Sequence, residues 1–279
     1  MTSDAVRRFS EAIGGPDHQV DLFGGAMVIA GISGDLVDIH ETARELDLIA
    51  EDVREHAGAT TDPGILSQAI DHELFTVRGF HGNASHYNDP ANSYLDLVVT
   101  RRTGIPITLS LVYMEIAQRT GLRCDGVGYP GHFIVRCGPP EEPVYVDPFQ
   151  QGSRLDRQEL LANLRSHDLQ GASPESYLAA VTRRQLLQRM LNNLHTVFRE
   201  NRDAGRWLQT VELLLCIEPW NAGLVGERGM LNYRLGRPEQ ALRDLERYVA
   251  AGEPQTVSAG ALRLLDELRL RFGEAEELG

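Results

Sequence analysis

The 279-residue sequence predicts an α+β fold with a helical N-terminal part, a core holding a small antiparallel sheet, and a C-terminal tail of α-helical repeats. Three observations support this prediction. Apolar residues recur at helical spacing before residue 120, three short strand-like runs lie between residues 123 and 147, and two similar segments repeat after residue 204. We therefore expect an α+β domain over residues 1–170, with the helical N-terminal portion included, and a repeat domain over 171–279.

Composition excludes several classes of function. The formal net charge is −13, and nucleic-acid binders need a basic face to replace counterions on phosphates. The N-terminal residues lack the long apolar segment of a secretory signal, and the apolar run 26–32 is too short to cross a bilayer. Three cysteines give no disulfide framework. The sequence thus predicts a cytoplasmic protein that binds neither nucleic acid nor membranes.

Helices account for most of the first 120 residues. Apolar spacing predicts them at 35–56, 63–77, 94–100 and 105–120, and the last of these is the most apolar. Residues 1–34 are rich in glycine, so we assign them no element.

The tail contains a weak internal repeat. Gly205 and Gly236 are 31 residues apart, and the Glu-Pro pairs at Glu218 and Glu253 are 35 apart. These separations bracket the tetratricopeptide period of about 34 residues. Two such repeats need a scaffold for their apolar faces, which a long helix at 174–201 can supply. We expect this tail to bind a protein or peptide partner.

A histidine and an aspartate stand out in the strand-like region. If residues 132–137 and 143–147 pair as a hairpin, with opposed residue numbers that sum to 279, His132 faces Asp147. A carboxylate in that position orients an imidazole, as in the base-plus-orienter half of a nucleophilic triad. The alternative is a satisfied polar pair at the edge of the sheet.

Four segments carry a resemblance to a known family: NDPANSYL, RRTGIPITLSLVY, GLRCDGVGYPGHFIVR and VDPFQQG. Over roughly residues 35–255 the chain resembles the SirB-type branch of the transglutaminase-like superfamily, which joins a papain/transglutaminase-like core to tetratricopeptide repeats. In catalytic members a nucleophilic cysteine begins the buried helix. Here that place is Pro106-Ile107-Thr108, without a cysteine, whereas His132 and Asp147 match the family's pair. The resemblance therefore implies a degenerate cleft.

Hydroxyls are the remaining nucleophile candidates at this helix. Thr108 and Ser110 lie in its first turns, although Thr108 is more simply a helix N-terminal hydroxyl and Ser110 a small core residue. Cys124 and Cys137 fall on the strands, where we interpret them as small packed side chains.

Four further residues are candidates for the cleft. The resemblance implies that Asn83 and Asn92 line it, since the family's matching elements precede the active helix. Tyr129 is a candidate for its wall. Gly131 permits close approach of another chain to the neighbouring histidine.

The polar loop 79–94 offers two histidines to a metal ion. His81 and His86 have no further ligands at a recognisable spacing, so a hydrogen-bonded loop is the favoured interpretation. Phosphate-binding and nucleotide-binding motifs are also absent from the sequence. We therefore predict no metal site and no cofactor.

Three functions stay open at this point. The favoured one is a non-catalytic or regulatory protein with a degenerate cleft and an interaction tail. The second is an amide or peptide-bond hydrolase or transferase that uses His132 and Asp147 with a hydroxyl or water nucleophile. The third is a purely structural repeat protein that inherited the pair. The oligomeric state is not predicted.

Overall fold

The computed structural model describes residues 2–165, 173–251 and 258–277. The chain divides into a larger unit, Ala12–Met190, and a smaller unit made of Met1–Glu11 and Leu191–Gly279. The domain boundary that the sequence predicts, between residues 170 and 171, lies outside the described residues.

Helices form the first half of the larger unit. Capping explains two of their starts: the Asp38 carboxylate accepts a hydrogen bond from Glu41 N, and the Asp62 carboxylate accepts one from Ile65 N. Helix α1 (Thr2–Ala12), which belongs almost entirely to the smaller unit, and helix α2 (Leu22–Ala30) of the larger unit lie within residues 2–34, to which the sequence pattern gave no element. The helices up to the first strand are α1 (Thr2–Ala12), α2 (Leu22–Ala30), α3 (Ile39–Ala57), α4 (Pro63–Asp71) and a π-helix (His72–Val77).

A central helix organises this unit. After the short helix α5 (Leu95–Arg101), helix α6 (Pro106–Arg119) is buried along nearly its whole length and packs against α3 and the sheet. Proline at its first position and the Thr108 hydroxyl, which accepts a hydrogen bond from Ile105 N at 3.1 Å, define where it begins. Within the described residues, no helix is long and apolar enough to cross a membrane.

A four-stranded antiparallel sheet packs on α6. Its strands follow in the order β3–β4–β5–β6, and a separate parallel pair joins β1 to β2. The strands are β1 (His81–Gly82), β2 (Thr103–Gly104), β3 (Cys124–Val127), β4 (Ile134–Cys137), β5 (Val144–Asp147) and β6 (Ser153–Leu155). Helix α7 (Arg157–Arg165) follows the sheet.

The predicted register of the hairpin is wrong by two residues. Val135 lies opposite Val146, so opposed residue numbers sum to 281 rather than 279. The turn is centred one residue later than expected, and β4 starts at Ile134, so His132 lies in the preceding loop. A shift of two residues keeps every side chain on its original face, whereas a shift of one would have reversed them all.

Two of the three cysteines lie side by side on this sheet. Cys124 and Cys137 are register partners on β3 and β4, and their sulfur atoms are 2.8 Å apart. Cys137 is buried and Cys124 is half-buried, and all three cysteines are free thiols. Their spacing in the sequence gave no sign of this pairing.

The smaller unit consists of helices that pack in antiparallel pairs. The predicted helix 174–201 is in fact a 3₁₀ turn (Pro174–Leu178) followed by α8 (Arg183–Glu200), which begins in the larger unit. Helices α10 and α11 approach closely because Gly226 lies against the Tyr248 ring, where an added Cβ would come within 2.7 Å. The remaining helices are α9 (Ala204–Ile217), α10 (Ala222–Arg234), α11 (Pro238–Ala251) and α12 (Ala259–Glu277).

Candidate functional site

His132 and Asp147 form a hydrogen-bonded pair at the edge of the sheet. The distance from His132 Nε2 to Asp147 Oδ2 is 2.7 Å, so the expectation that the two lie within hydrogen-bond reach is confirmed. The Asp147 side chain is 6% exposed and that of His132 is 26% exposed. One side of the imidazole is thus held by a buried carboxylate while the ring stays accessible to solvent.

Backbone groups fix the carboxylate in turn. Asp147 ends β5 and caps the 3₁₀ turn Pro148–Gln150, where its Oδ1 accepts hydrogen bonds from Phe149 N at 3.0 Å and Gln150 N at 3.2 Å. The Asp-Pro pair produces this geometry, since proline begins a helical turn well and needs no acceptor for its nitrogen. Asp147 therefore has little rotational freedom.

A tight turn places the histidine. His132 N donates to Tyr129 O at 2.9 Å, and Gly131 in this turn has φ +70°, a conformation that favours glycine. Gly131 therefore shapes the backbone before the histidine, and an added Cβ there would meet open space.

One aromatic ring contacts the imidazole, and a second ring and an arginine contact its neighbours. The Phe149 ring lies edge-on to His132, with centroids 6.0 Å apart, and Tyr87 lies edge-on to Phe149 at 6.5 Å. Arg189 donates to His132 O at 3.3 Å and covers the Phe133 ring at 5.2 Å. Burial lowers the pKa of Arg189. Sequence patterns do not predict that either ring lies at the site, although Phe149 directly follows the Asp-Pro pair.

The hydroxyls at the start of α6 donate hydrogen bonds to backbone carbonyls. Thr108 is fully buried and donates to Asn92 O at 2.7 Å. Ser110 is also fully buried and lies 3.4 Å from Phe133 O, its acceptor. This contact brings α6 next to the residue that follows His132. Within the described residues, no hydrogen bond joins either hydroxyl to the imidazole.

Comparisons with known proteins match both parts of the chain. Residues 40–192, more than half of the chain, match the model of the transglutaminase-like superfamily. The chain belongs to the transglutaminase-like superfamily. Residues 194–266 match a tetratricopeptide repeat model. The predicted fold class, a transglutaminase-like core followed by tetratricopeptide-like helices, is confirmed.

Similar proteins come from bacteria and mammals. The UPF0162 protein of Xylella fastidiosa strain Temecula1 is 37% identical over 186 residues, which cover 65% of this chain and 66% of that protein. UPF0162 protein PA3419 of Pseudomonas aeruginosa is 30% identical over 83% of this chain and 82% of that protein. Human F-box only protein 21 is 30% identical over 60% of this chain but only 28% of its own length. The chain thus covers just under two thirds of the Xylella protein.

The asparagines of the transglutaminase-like domain hold a loop together. Asn83 Nδ2 donates to Asn92 Oδ1 at 3.0 Å, and Asn92 Nδ2 donates to His86 O at 2.8 Å and to Tyr87 O at 3.2 Å. Asn92 is fully buried. Both amides are therefore used within the loop, and the residue that this loop directs towards Phe149 is Tyr87.

Tyr129 and the two loop histidines have partners of their own. The Tyr129 hydroxyl donates to Leu160 O at 3.0 Å. His81 bonds to Gly79 O through Nδ1 at 3.0 Å, and His86 bonds to its neighbour Ser85. The loop is thus hydrogen-bonded, in line with the interpretation favoured from its sequence.

The arrangement can hold and orient one imidazole next to a solvent-accessible surface. Within the described residues, the His132 Nδ1 atom forms no hydrogen bond, so it is free to exchange a proton or bind a polar ligand group. A cavity of about 750 Å³ lies elsewhere in the domain, where Glu115 and Cys124 contribute to its lining, and neither His132 nor Asp147 lines it.

Proposed function

We propose that this protein is a non-catalytic or regulatory protein in which a degenerate transglutaminase-like cleft accompanies a repeat tail that binds a protein partner. The observation that carries the proposal is the state of Thr108 and Ser110. Both hydroxyls are fully buried and directed at backbone carbonyls, so neither is available as a nucleophile in place of the missing cysteine. We also propose that the protein belongs to the SirB-type branch and lies in the cytoplasm. The three free thiols support the cytoplasmic location.

A charged groove in the tail supports the interaction role. A cavity of about 300 Å³ beside α9, α10 and α11 is lined by three arginines and two acidic residues: Arg228, Arg237, Arg243, Glu212 and Asp244. Arg228 is paired with Asp244, whose carboxylate it contacts at 2.6 Å and 2.8 Å. Within the described residues, no ion pair reaches Arg237 or Arg243. Their guanidinium groups can therefore bind carboxylates of an acidic peptide segment.

An exposed aromatic residue lies in the same unit. Trp220, in the loop between α9 and α10, is 77% exposed. Tryptophan is enriched among the residues that dominate binding energy at protein interfaces. Trp220 and the arginine groove together offer an apolar contact and a charged one.

The interaction role is tested by capture of partners with the full chain. We expect the double variant Arg237→Glu, Arg243→Glu to lose proteins that the wild type retains from a cell extract, because it reverses the charge of the groove. The matched control is Arg247→Glu, since Arg247 is an exposed arginine on the same helix that does not line the cavity. Equal capture by all three proteins would reject the groove as the binding surface.

The alternative function is an amide or peptide-bond hydrolase or transferase. The intact 2.7 Å pair favours it, because an oriented imidazole can activate water without a protein nucleophile. The test measures amine and ammonia release from a panel of peptide and glutaminyl amide substrates. No turnover above that of His132→Ala supports the binding role. Turnover that both His132→Ala and Asp147→Asn abolish would replace it with the enzymatic one.

A further inference from the structure

Three potential metal ligands meet on the helical side of the larger unit, away from the pair at the sheet. They are His56 in the last turn of α3, His72 at the start of the π-helix, and its neighbour Glu73. One ligand atom from each lies within 4.8 Å of the other two. The two imidazole rings stack, with centroids 4.6 Å apart and an angle of 22° between planes.

The carboxylate of this cluster has no protein partner in the described part of the chain. Glu73 is only 7% exposed, yet no hydrogen bond or ion pair of its side chain connects it to a described residue. In the described part of the chain, the side-chain nitrogens of His56 and His72 also form no hydrogen bond or ion pair, and the two rings contact each other by stacking. A carboxylate that is largely buried, lies beside two imidazoles and has no protein partner is available to bind a cation.

We propose that His56, His72 and Glu73 bind a divalent transition-metal ion, with zinc as the best match. Two imidazoles and one carboxylate are the ligand set of many open zinc sites, in which water occupies the fourth position. With zinc–ligand bonds of about 2.1 Å, the ligand atoms of a tetrahedral site lie about 3.4 Å apart. Binding requires the exposed imidazoles of His56 and His72 to turn out of their ring stack, so that one nitrogen of each faces the ion.

The surrounding backbone favours a cation at this position. His56 lies in the last turn of α3, where the unpaired carbonyls of a helix carry partial negative charge. His72 and Glu73 begin a π-helix that directly follows α4, a rare geometry that often marks functional positions. A bound ion would therefore link the end of α3 to the junction between α4 and the π-helix.

The test is a zinc titration of the full chain, without an affinity tag and after treatment with a chelator. We expect one ion per chain by calorimetry, and a visible absorption spectrum on substitution with Co²⁺. His56→Gln and His72→Gln should each weaken binding by about tenfold or more, since each removes one of three ligands. Glu73→Gln should do the same, although its burial makes the two histidine variants the decisive ones.

The matched control is His40→Gln, which alters an exposed histidine in the first turn of the same helix. Thermal melting of each apo variant checks that the fold is intact. Retention of wild-type zinc affinity by both histidine variants, or an equal loss in His40→Gln, would overturn the proposal. Absence of any stoichiometric binding by the wild type would overturn it as well.

Discussion

The pair at the sheet edge makes a quantitative prediction through the substitution Asp147→Ala. The change removes three hydrogen bonds that Asp147 accepts, from His132 Nε2, Phe149 N and Gln150 N. Loss of the cap costs about 1 kcal/mol. A hydrogen bond to a charged group contributes about 1.5–3 kcal/mol, and we take the lower end because the His132 side chain is 26% exposed. We therefore expect the free energy of unfolding to fall by about 2.5 kcal/mol.

A double-mutant cycle with His132→Ala isolates the pair itself. The coupling between the two substitutions should be about 1.5 kcal/mol, because the cap to Phe149 and Gln150 is lost with Asp147 in either background. Urea denaturation followed by far-UV circular dichroism measures it. Tryptophan fluorescence is unsuitable, since Trp207 and Trp220 both lie in the smaller unit. A coupling below about 0.3 kcal/mol, the additivity expected of independent sites, would refute the reasoning.

Three further predictions concern other contacts in the larger unit. Gly82→Ala should displace the Phe149 ring, because an added Cβ would lie 2.5 Å from it, and should change the His132 ring signals in NMR spectra; unchanged signals would contradict the packing. Tyr113→Phe should lower the free energy of unfolding by about 1 kcal/mol, since Ser67 O and Asp71 Oδ1 share the proton of this buried hydroxyl and both lose that donor; a neutral effect in urea denaturation would count against those bonds. Burial raises the pKa of Glu115, with its partner Arg119 opposing the shift. The folded state therefore holds that proton to higher pH than the unfolded chain. Stability should fall as the pH rises through the interval between the two pKa values, and Glu115→Gln should flatten this slope; parallel pH profiles would argue against it.

The sequence carried most of the information about the helices and strands. Apolar spacing located α3, α4 and α6 within a few residues, because one buried face repeats at the helical period. The same reasoning gave nothing for α1, which contains no glycine, or for α2, which contains Gly24 and Gly25. Sequence reasoning also predicted one continuous helix where the structure has a 3₁₀ turn followed by α8. The break at residues 179–182 hardly changes the spacing of polar and apolar residues, so the sequence does not reveal it.

Contacts between distant segments were beyond the reach of sequence patterns. The pairing of Cys124 with Cys137 depends on strand register, which side-chain periodicity fixes only to within two residues. The approach of Tyr87 to Phe149 and of Arg189 to His132 depends on how loops and helices pack. Packing of this kind is decided by shape rather than by residue type.

The sequence alone predicted an α+β core with a repeat tail, a pair formed by His132 and Asp147, and a helix beside them that starts without a cysteine. These predictions rest on the periodic spacing of apolar residues and on short sequence motifs. Only the tertiary structure decided that the Thr108 hydroxyl donates to a backbone carbonyl and that His56, His72 and Glu73 lie close together. Those relations join residues that are far apart in the chain. A local pattern shows which face of a helix is buried, but it does not show which residues meet that face.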